Sequence, residues 1–273
     1  MESDKLEKIF LYVANSIDIT NKMLEKSESR YKSISNWLSR DESSLFKYIK
    51  DSSNINIYSQ GSIKLGTAIQ PIINDDYDVD AVCCCKNICK INITQETLKK
   101  IFFYELSEYT KSQNMKHGAK NGKKCITIKY ANDKFHLDIV PAILNSNNNS
   151  PLCVDCNKIA ITDEKHKNFK EISFKWPVSN PEDYFNWFKE SMHRNIKNES
   201  ISIKNNSADI EALPEHKSKT ILQKTVQLLK RHRDIFFSNN QDSSPASIVI
   251  TTIAGLSYSG KTRIPDPLNN LLH

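Results

Sequence analysis

The chain of 273 residues is long enough to bury one good core, or two small ones in contact. Its 38% hydrophobic and 26% charged residues are those of an ordinary globular protein. A net charge of +6 suits a polyanionic substrate such as a nucleoside triphosphate but gives no strong nucleic-acid signal, and no apolar run reaches the roughly 20 residues of a membrane span.

The charged start, Met1 to Lys5, lacks a signal-peptide core and predicts a cytoplasmic protein. Leu6, Ile9, Phe10, Val13 and Ile17 recur at helical spacing and predict an amphipathic helix over about 5–26. A second helical stretch, 31–49, carries Ile34, Trp37, Leu38, Leu45, Phe46 and Ile49 and breaks near Asp41-Glu42. Its aromatic stripe reads as core packing rather than a ligand platform.

The most informative stretch follows, from Ile57 to Val82. A short apolar strand runs into a Gly61-Ser62 turn, passes Gly66-Thr67 and Pro71, and returns as an alternating run bearing Asp78 and Asp80. Residues i and i+2 of a strand share a face, so the two carboxylates project together while Val79 turns to the core. Their mutual repulsion makes sense if a divalent cation lies between them. Gly61 allows close backbone approach, and Ser62 adds a hydroxyl suited to phosphate. The bland alternative is a solvated acidic pair on an exposed strand. Asp75 and Asp76 are read as loop acids serving the turn.

Beyond that strand, which ends at Cys85, a helix is expected over about 94–113 with Leu98, Ile101, Phe102, Leu106 and Tyr109 on one face. The basic loop 116–124 reads as phosphate contact or as a solvated hairpin lead-in, the second being preferred. Residues 125–130 alternate as a strand, Asn132-Asp133 makes the turn, and 135–140 returns as a strand stopped by Pro141. Asp138 lies inside that apolar run, where a carboxylate is costly unless paired or metal-bound. Three acids on strands beside one Gly-Ser turn form a catalytic constellation rather than scattered charges.

Residues 145–150 read as an asparagine-rich surface loop, and the stretch to Lys175 as irregular with one or two short strands. Cys153-x-x-Cys156 has metal-ligand spacing and His166 follows, but no second such pair completes a zinc site. Seven cysteines, three of them adjacent at 83–85, make a poor disulfide framework and fit ordinary thiols in a reducing compartment. Ser179-Asn180-Pro181-Glu182-Asp183 is a helix start, the helix running through Met192. A polar linker over 195–209 precedes a long helix, 214–237, with Ile221, Leu222, Val226, Leu229 and Ile235 inward and Lys230, Arg231 and Arg233 on its other side. Residues 247–256 read as a buried helix and 263–270 as a loop.

The motifs Gly61-Ser62-x-x-x-Gly66-Thr67, Tyr77-Asp78-Val79-Asp80 and Phe135-His136-Leu137-Asp138-Ile-Val-Pro141 closely resemble those of the bacterial CD-NTases. These are the cGAS/DncV-like enzymes that make cyclic oligonucleotide signals in anti-phage defence. Further matches are Ser179-Asn180-Pro181-x-x-Tyr184-x-x-Trp187-Phe188, the run from Leu222 to Asp234, and Ser244-Pro245-x-Ser247-Ile-x-Ile-Thr-Thr. The resemblance covers the chain from about Arg30 onward and implies an α+β fold. Residues 1–180 would form a polymerase-β-like nucleotidyltransferase core, a mixed sheet braced by an N-terminal helical spine. Residues 181–273 would be a helical domain that stops short of the family's usual extent, which suggests a truncation. The chemistry implied is joining of ATP, GTP or other triphosphates into a cyclic di- or trinucleotide with release of pyrophosphate. Asp78, Asp80 and Asp138 would hold two Mg²⁺ ions (Mn²⁺ as substitute), Asp138 also helping to deprotonate the attacking hydroxyl. Gly61, Ser62, Lys230 and Ser247 would bind nucleotide, the plain alternative for Lys230 being a surface cation. Regulatory proteins and a downstream effector are implied as partners. The rival readings are another template-independent enzyme, of the poly(A) or CCA-adding kind, and a truncated, inactive nucleotide-binding module.

Overall fold

Alternation of apolar and polar residues between Ile55 and Ser179 builds one mixed sheet. A computed structural model of the chain, describing residues 2–72, 76–145, 157–193 and 219–272, shows its strands. They are β1 (Ile55–Gln60), β2 (Tyr77–Cys85), β3 (Lys120–Asn121), β4 (Ile126–Tyr130), β5 (Phe135–Leu144), β6 (Ile159–Ile161) and β7 (Val178–Ser179). The order is β1-β2-β5-β4-β3, with β6 pairing the far half of β5 and β7 pairing β6. Only β2 and β5 run parallel among these described pairs, side by side at the sheet's centre.

Two compact units emerge, and they interleave along the chain instead of dividing near residue 180. The sheet unit comprises Lys22–Gly61 and Ile73–Asp183; the helical unit comprises Met1–Asn21, Ser62–Ile72 and Tyr184–His273. The helices are α1 (Glu2–Ser16), α2 (Asn21–Leu38), α3 (Phe46–Ile49), α4 (Gly61–Leu65), α5 (Gln95–Ser112), α6 (Pro181–Met192), α7 (Ile221–Phe236), α8 (Ser247–Ser257) and α9 (Pro265–Leu272).

In the sheet unit, Tyr77, Val79, Ala81, Phe135, Leu137, Ile139, Ile126, Ile128 and Tyr130 are buried. Tyr130, Phe135 and Tyr77 stack in sequence across the strands. α2 and α5 close this core. Trp37 Nε1 donates to the Glu105 carbonyl at 2.9 Å, and Tyr77 Oη donates to the Met23 carbonyl at 3.2 Å. The helix expected over 94–113 forms as α5, capped by the Thr94 hydroxyl accepting from Thr97 N. The basic loop is a hairpin lead-in, as preferred: β3 pairs β4, and buried Lys99 holds the loop by donating to the Gly122 and Lys123 carbonyls.

Pro141 does not stop its strand. β4 pairs β5 only as far as Ile139, β6 begins at Ala142, and Thr162 N donates to the Pro141 carbonyl. N–H and C=O of one residue leave a strand on the same side, so the missing proline N–H faces the gap between two neighbours and costs no ladder bond. The strand can therefore continue to Leu144.

Asp133, at the β4–β5 turn, is a half-buried carboxylate held by Lys26 at 2.6 Å and Arg30 at 2.9 Å. Burial alone would raise its pKa; the bonds from Lys26 and Arg30 outweigh that and hold it below its ordinary value. A depressed carboxylate contributes stability above its unfolded pKa, and that contribution is lost as pH falls through the folded one. Asp133→Asn is expected to cost about 1–3 kcal/mol at neutral pH, and less in acid, by denaturant titration.

The helical departures from expectation have local causes. The first helix ends at Ser16, not near 26, because 17–20 pairs with the segment around Ile69. Asp18 bridges Ile69, Gln70 N donates to the Ile17 carbonyl, and Asp18 Oδ1 accepts from Gln227 and Lys219. α1 thus packs on α7 and α9 in the helical unit, and α2, not α1, braces the sheet. Residues 263–270 form most of a helix, α9, opened by Pro265, with Ile264 N donating to Glu7 and Arg263 to Asp4. α6 starts as expected, the Asn180 side chain accepting from Asp183 N. α7 begins at Ile221 behind a Thr220–Gln223 capping box; residues 214–218 lie outside the described residues, as does the expected linker. α8 forms, but Ile248, Val249, Ile253 and Leu256 are exposed, so it is not the buried helix its composition suggested. Its small-residue side fits instead: a Cβ on Gly255 would lie 2.7 Å from the Trp187 ring of α6.

Candidate functional site

The register of three strands decides the site. Asp80 on β2 lies directly beside Asp138 on β5, and Asp138 lies beside Thr127 on β4. One step along, Asp78 lies beside His136 and His136 beside Lys129. The residues between them in each strand are core, so these all project from the opposite, accessible face. Neighbouring strands are about 4.8 Å apart, so the three carboxylates share one face across two adjacent strands.

Each acid has its own surroundings. Asp138 Oδ1 accepts a hydrogen bond from Thr127 Oγ1 at 2.5 Å. The nearby Cys125 thiol is pushed up to about 11, by desolvation first and then by the Asp138 charge. Asp78 is raised above its ordinary value. Desolvation disfavours the charged form, modestly because the side chain is largely exposed, the Asp138 charge adds to this, and His136 opposes it. Its Oδ1 stands 3.8 Å from His136 Nδ1.

Asp76 does more than serve a turn. Its Oδ2 receives Lys129 Nζ at 2.6 Å and His136 Nε2 at 3.0 Å, so it anchors the ring that faces Asp78. A loop acid just before a strand gives no sequence signal for such a partner; only the register of Lys129, His136 and Asp78 reveals it. Asp75 lies outside the described residues.

Gly61 is where β1 meets the acids. Its φ of +62° is the left-handed conformation that glycine adopts freely, and a Cβ there would fall under 3.0 Å from Asp80 Oδ2. The expected Gly-Ser turn is thus a left-handed glycine followed directly by the helical turn α4, with Ser62 the next residue.

Among the described residues, no three His, Cys, Asp or Glu side chains are gathered closely enough to ligate one metal ion. The trio is an open donor set: three carboxylates on one face, one of them disfavoured in its charged form by another. Hard oxygen donors of this kind, in mutual repulsion, fit Mg²⁺ or Mn²⁺. The Cys153/Cys156 pair considered for zinc lies outside the described residues.

The remaining candidates belong to the helical unit. Lys230 is no surface cation: it is 3% exposed, and its Nζ donates to the Thr67 carbonyl at 3.1 Å and hydroxyl at 3.2 Å. It fixes the Gly66-Thr67 end of the motif, while Gln223 Nε2 holds the Leu65 carbonyl beside left-handed Gly66. Lys230→Ala is therefore expected to lower stability by about 1–3 kcal/mol, with Lys230→Met milder, measured by thermal and denaturant unfolding. Ser247, at the start of α8, accepts from Arg233 Nη1 at 2.9 Å.

Comparison with known proteins agrees with this layout. Residues 55–141 match the family described as cyclic GMP-AMP synthase DncV-like, nucleotidyltransferase domain. That span holds Gly61, Ser62 and all three acids. A c-di-GMP synthase of Roseivirga ehrenbergii is 28% identical over 268 residues, 98% of this chain, and the chain spans 65% of that relative's length. The CD-NTase CdnG of Bradyrhizobium diazoefficiens, solved in complex with GTP, superposes with a TM-score of 0.70 at 19% identity. That match covers 98% of this chain and 75% of the other. Vibrio cholerae DncV, solved with nonhydrolyzable GTP, superposes at 0.63 with 15% identity, over 94% and 73% of the two chains. The structural likenesses show an α+β nucleotidyltransferase fold.

Proposed function

We propose that the chain is a bacterial CD-NTase that joins nucleoside triphosphates into a cyclic di- or trinucleotide, releasing pyrophosphate. The observation that supports this most is the register of Asp80 beside Asp138, with Asp78 two residues along the same face. The relative named as a c-di-GMP synthase, and the GTP complexes of two structural neighbours, favour GTP among the substrates.

Asp78, Asp80 and Asp138 are the residues that would hold Mg²⁺, whose chemistry is neutralisation of the α-phosphate and of the departing pyrophosphate. Asp138 also takes the proton from the attacking ribose hydroxyl at its carboxylate. The hydroxyl oxygen bonds to the α-phosphorus, and the bond to the β-phosphate bridging oxygen breaks. Gly61 leaves room for phosphate by carrying no Cβ against Asp80, and Ser62 donates its hydroxyl to the β- and γ-oxygens. Lys230 contributes by holding Thr67, and Ser247 by its hydroxyl at the start of α8.

No described helix is long and apolar enough to cross a membrane. Among the described residues no disulfide joins Cys83, Cys84, Cys85, Cys89 or Cys125, which supports a reducing, cytoplasmic setting. A role in anti-phage signalling, with regulatory proteins and an effector that reads the product, rests on the family alone.

Incubation with GTP, ATP and their mixture in Mg²⁺, then phosphatase and mass spectrometry, tests the reading. A phosphatase-resistant cyclic product is expected. Linear oligomers would favour an RNA-tailing enzyme, and nucleotide binding without turnover an inactive module.

A further inference from the structure

We propose that Thr127 is the positioning residue for Asp138, fixing the carboxylate in the orientation that metal binding and proton acceptance require; this rests on the nucleotidyltransferase reading. Thr127 sits on β4 directly opposite Asp138, in the row Thr127–Asp138–Asp80 that crosses three strands. Its hydroxyl carries one proton, and that proton goes to Asp138 Oδ1 across 2.5 Å. A carboxylate bonded at one oxygen no longer rotates freely, so the cost of ordering it is met before any ligand arrives.

The flanking groups are poor substitutes. The Cys125 thiol, 4.0 Å from Thr127 Oγ1, also reaches Asp138, but a thiol is a weak donor. Lys129, the next residue on that face of β4, is engaged by Asp76. Thr127 is half-buried on the accessible face, so it serves no core packing that valine would not serve equally.

Thr127→Val keeps the shape and the β-branch and removes only the hydroxyl. With a nonhydrolysable GTP analogue present, electron paramagnetic resonance should show Mn²⁺ bound about 10-fold more weakly. In turnover, kcat should fall about 10- to 100-fold while the triphosphate KM stays within about threefold. Thr127→Ser should restore both quantities to within about threefold of wild type.

Unchanged Mn²⁺ affinity in Thr127→Val overturns the proposal. So does Thr127→Ser matching Thr127→Val at an unaltered melting temperature, or a wild-type protein that binds no Mn²⁺. If Thr127→Val unfolds, Thr127→Ala replaces it in the comparison with Ser under the same criteria. A wild type that binds Mn²⁺ but makes no product would sink the enzymatic reading, while the Mn²⁺ comparison still decides the role of Thr127.

Discussion

Asp78→Ala combined with Asp80→Ala is expected to abolish the proposed nucleotide joining, lowering turnover by at least about 1,000-fold, or roughly 4 kcal/mol of barrier. Both side chains leave β2 on its accessible face, and the core residues Tyr77, Val79 and Ala81 are untouched. The loss should therefore come without unfolding. For Asp78 the linkage argues in the same direction. Its folded pKa is raised, so the folded protein binds the proton more readily than the unfolded chain, and stability falls as pH rises through that raised value. Removing this carboxylate at neutral pH relieves a cost in the metal-free protein. The melting temperature of the double variant should hold or rise slightly, solvent screening keeping the change small. Turnover retained within tenfold would remove both residues from the reaction.

Gly61→Ala is the second large effect. The added methyl meets Asp80 Oδ2 well inside contact distance, with Cγ at 3.1 Å and Cβ at 3.3 Å behind it. Backbone at φ +62° adds about 1–2 kcal/mol of strain for any residue with a Cβ. Asp80 must swing away, so turnover should drop by about 100-fold or more even though no acid is lost. A double-mutant cycle separates the two causes. In an Asp80→Ala background the clash largely disappears, and Gly61→Ala should then cost only the backbone strain in stability. Equal costs in both backgrounds would mean that Gly61 acts through φ alone.

Much of the site could be read from alternation. Tyr77-Asp78-Val79-Asp80 and Phe135-His136-Leu137-Asp138 each declare which side chains share a face, and both runs are strands as expected. What alternation does not contain is pairing: that β2 and β5 are parallel neighbours in register is a tertiary fact, as is the opposition of Thr127 to Asp138. Asp76 reads as a turn acid for the same reason, its partners Lys129 and His136 lying on β4 and β5. For Lys230, expected to bind nucleotide, a surface cation is the plain alternative because its helix is amphipathic with basic residues outside, yet a backbone carbonyl and a hydroxyl from residue 67 draw it inside. The helix break at 17–20 and the continuation through Pro141 follow likewise from partners distant in sequence. At α8 the apolar run made a helix legible and its exposure illegible.

The central claim is that three carboxylates on one sheet face hold the metal that activates the triphosphate. Anomalous diffraction from crystals grown with Mn²⁺ and a nonhydrolysable GTP analogue tests it most directly. The expected result is manganese density coordinated by Asp78, Asp80 and Asp138 at roughly 2.0–2.3 Å, with the triphosphate extending toward Gly61 and Ser62. Manganese and nucleotide bound away from that face, with the three acids bearing no metal, would contradict it.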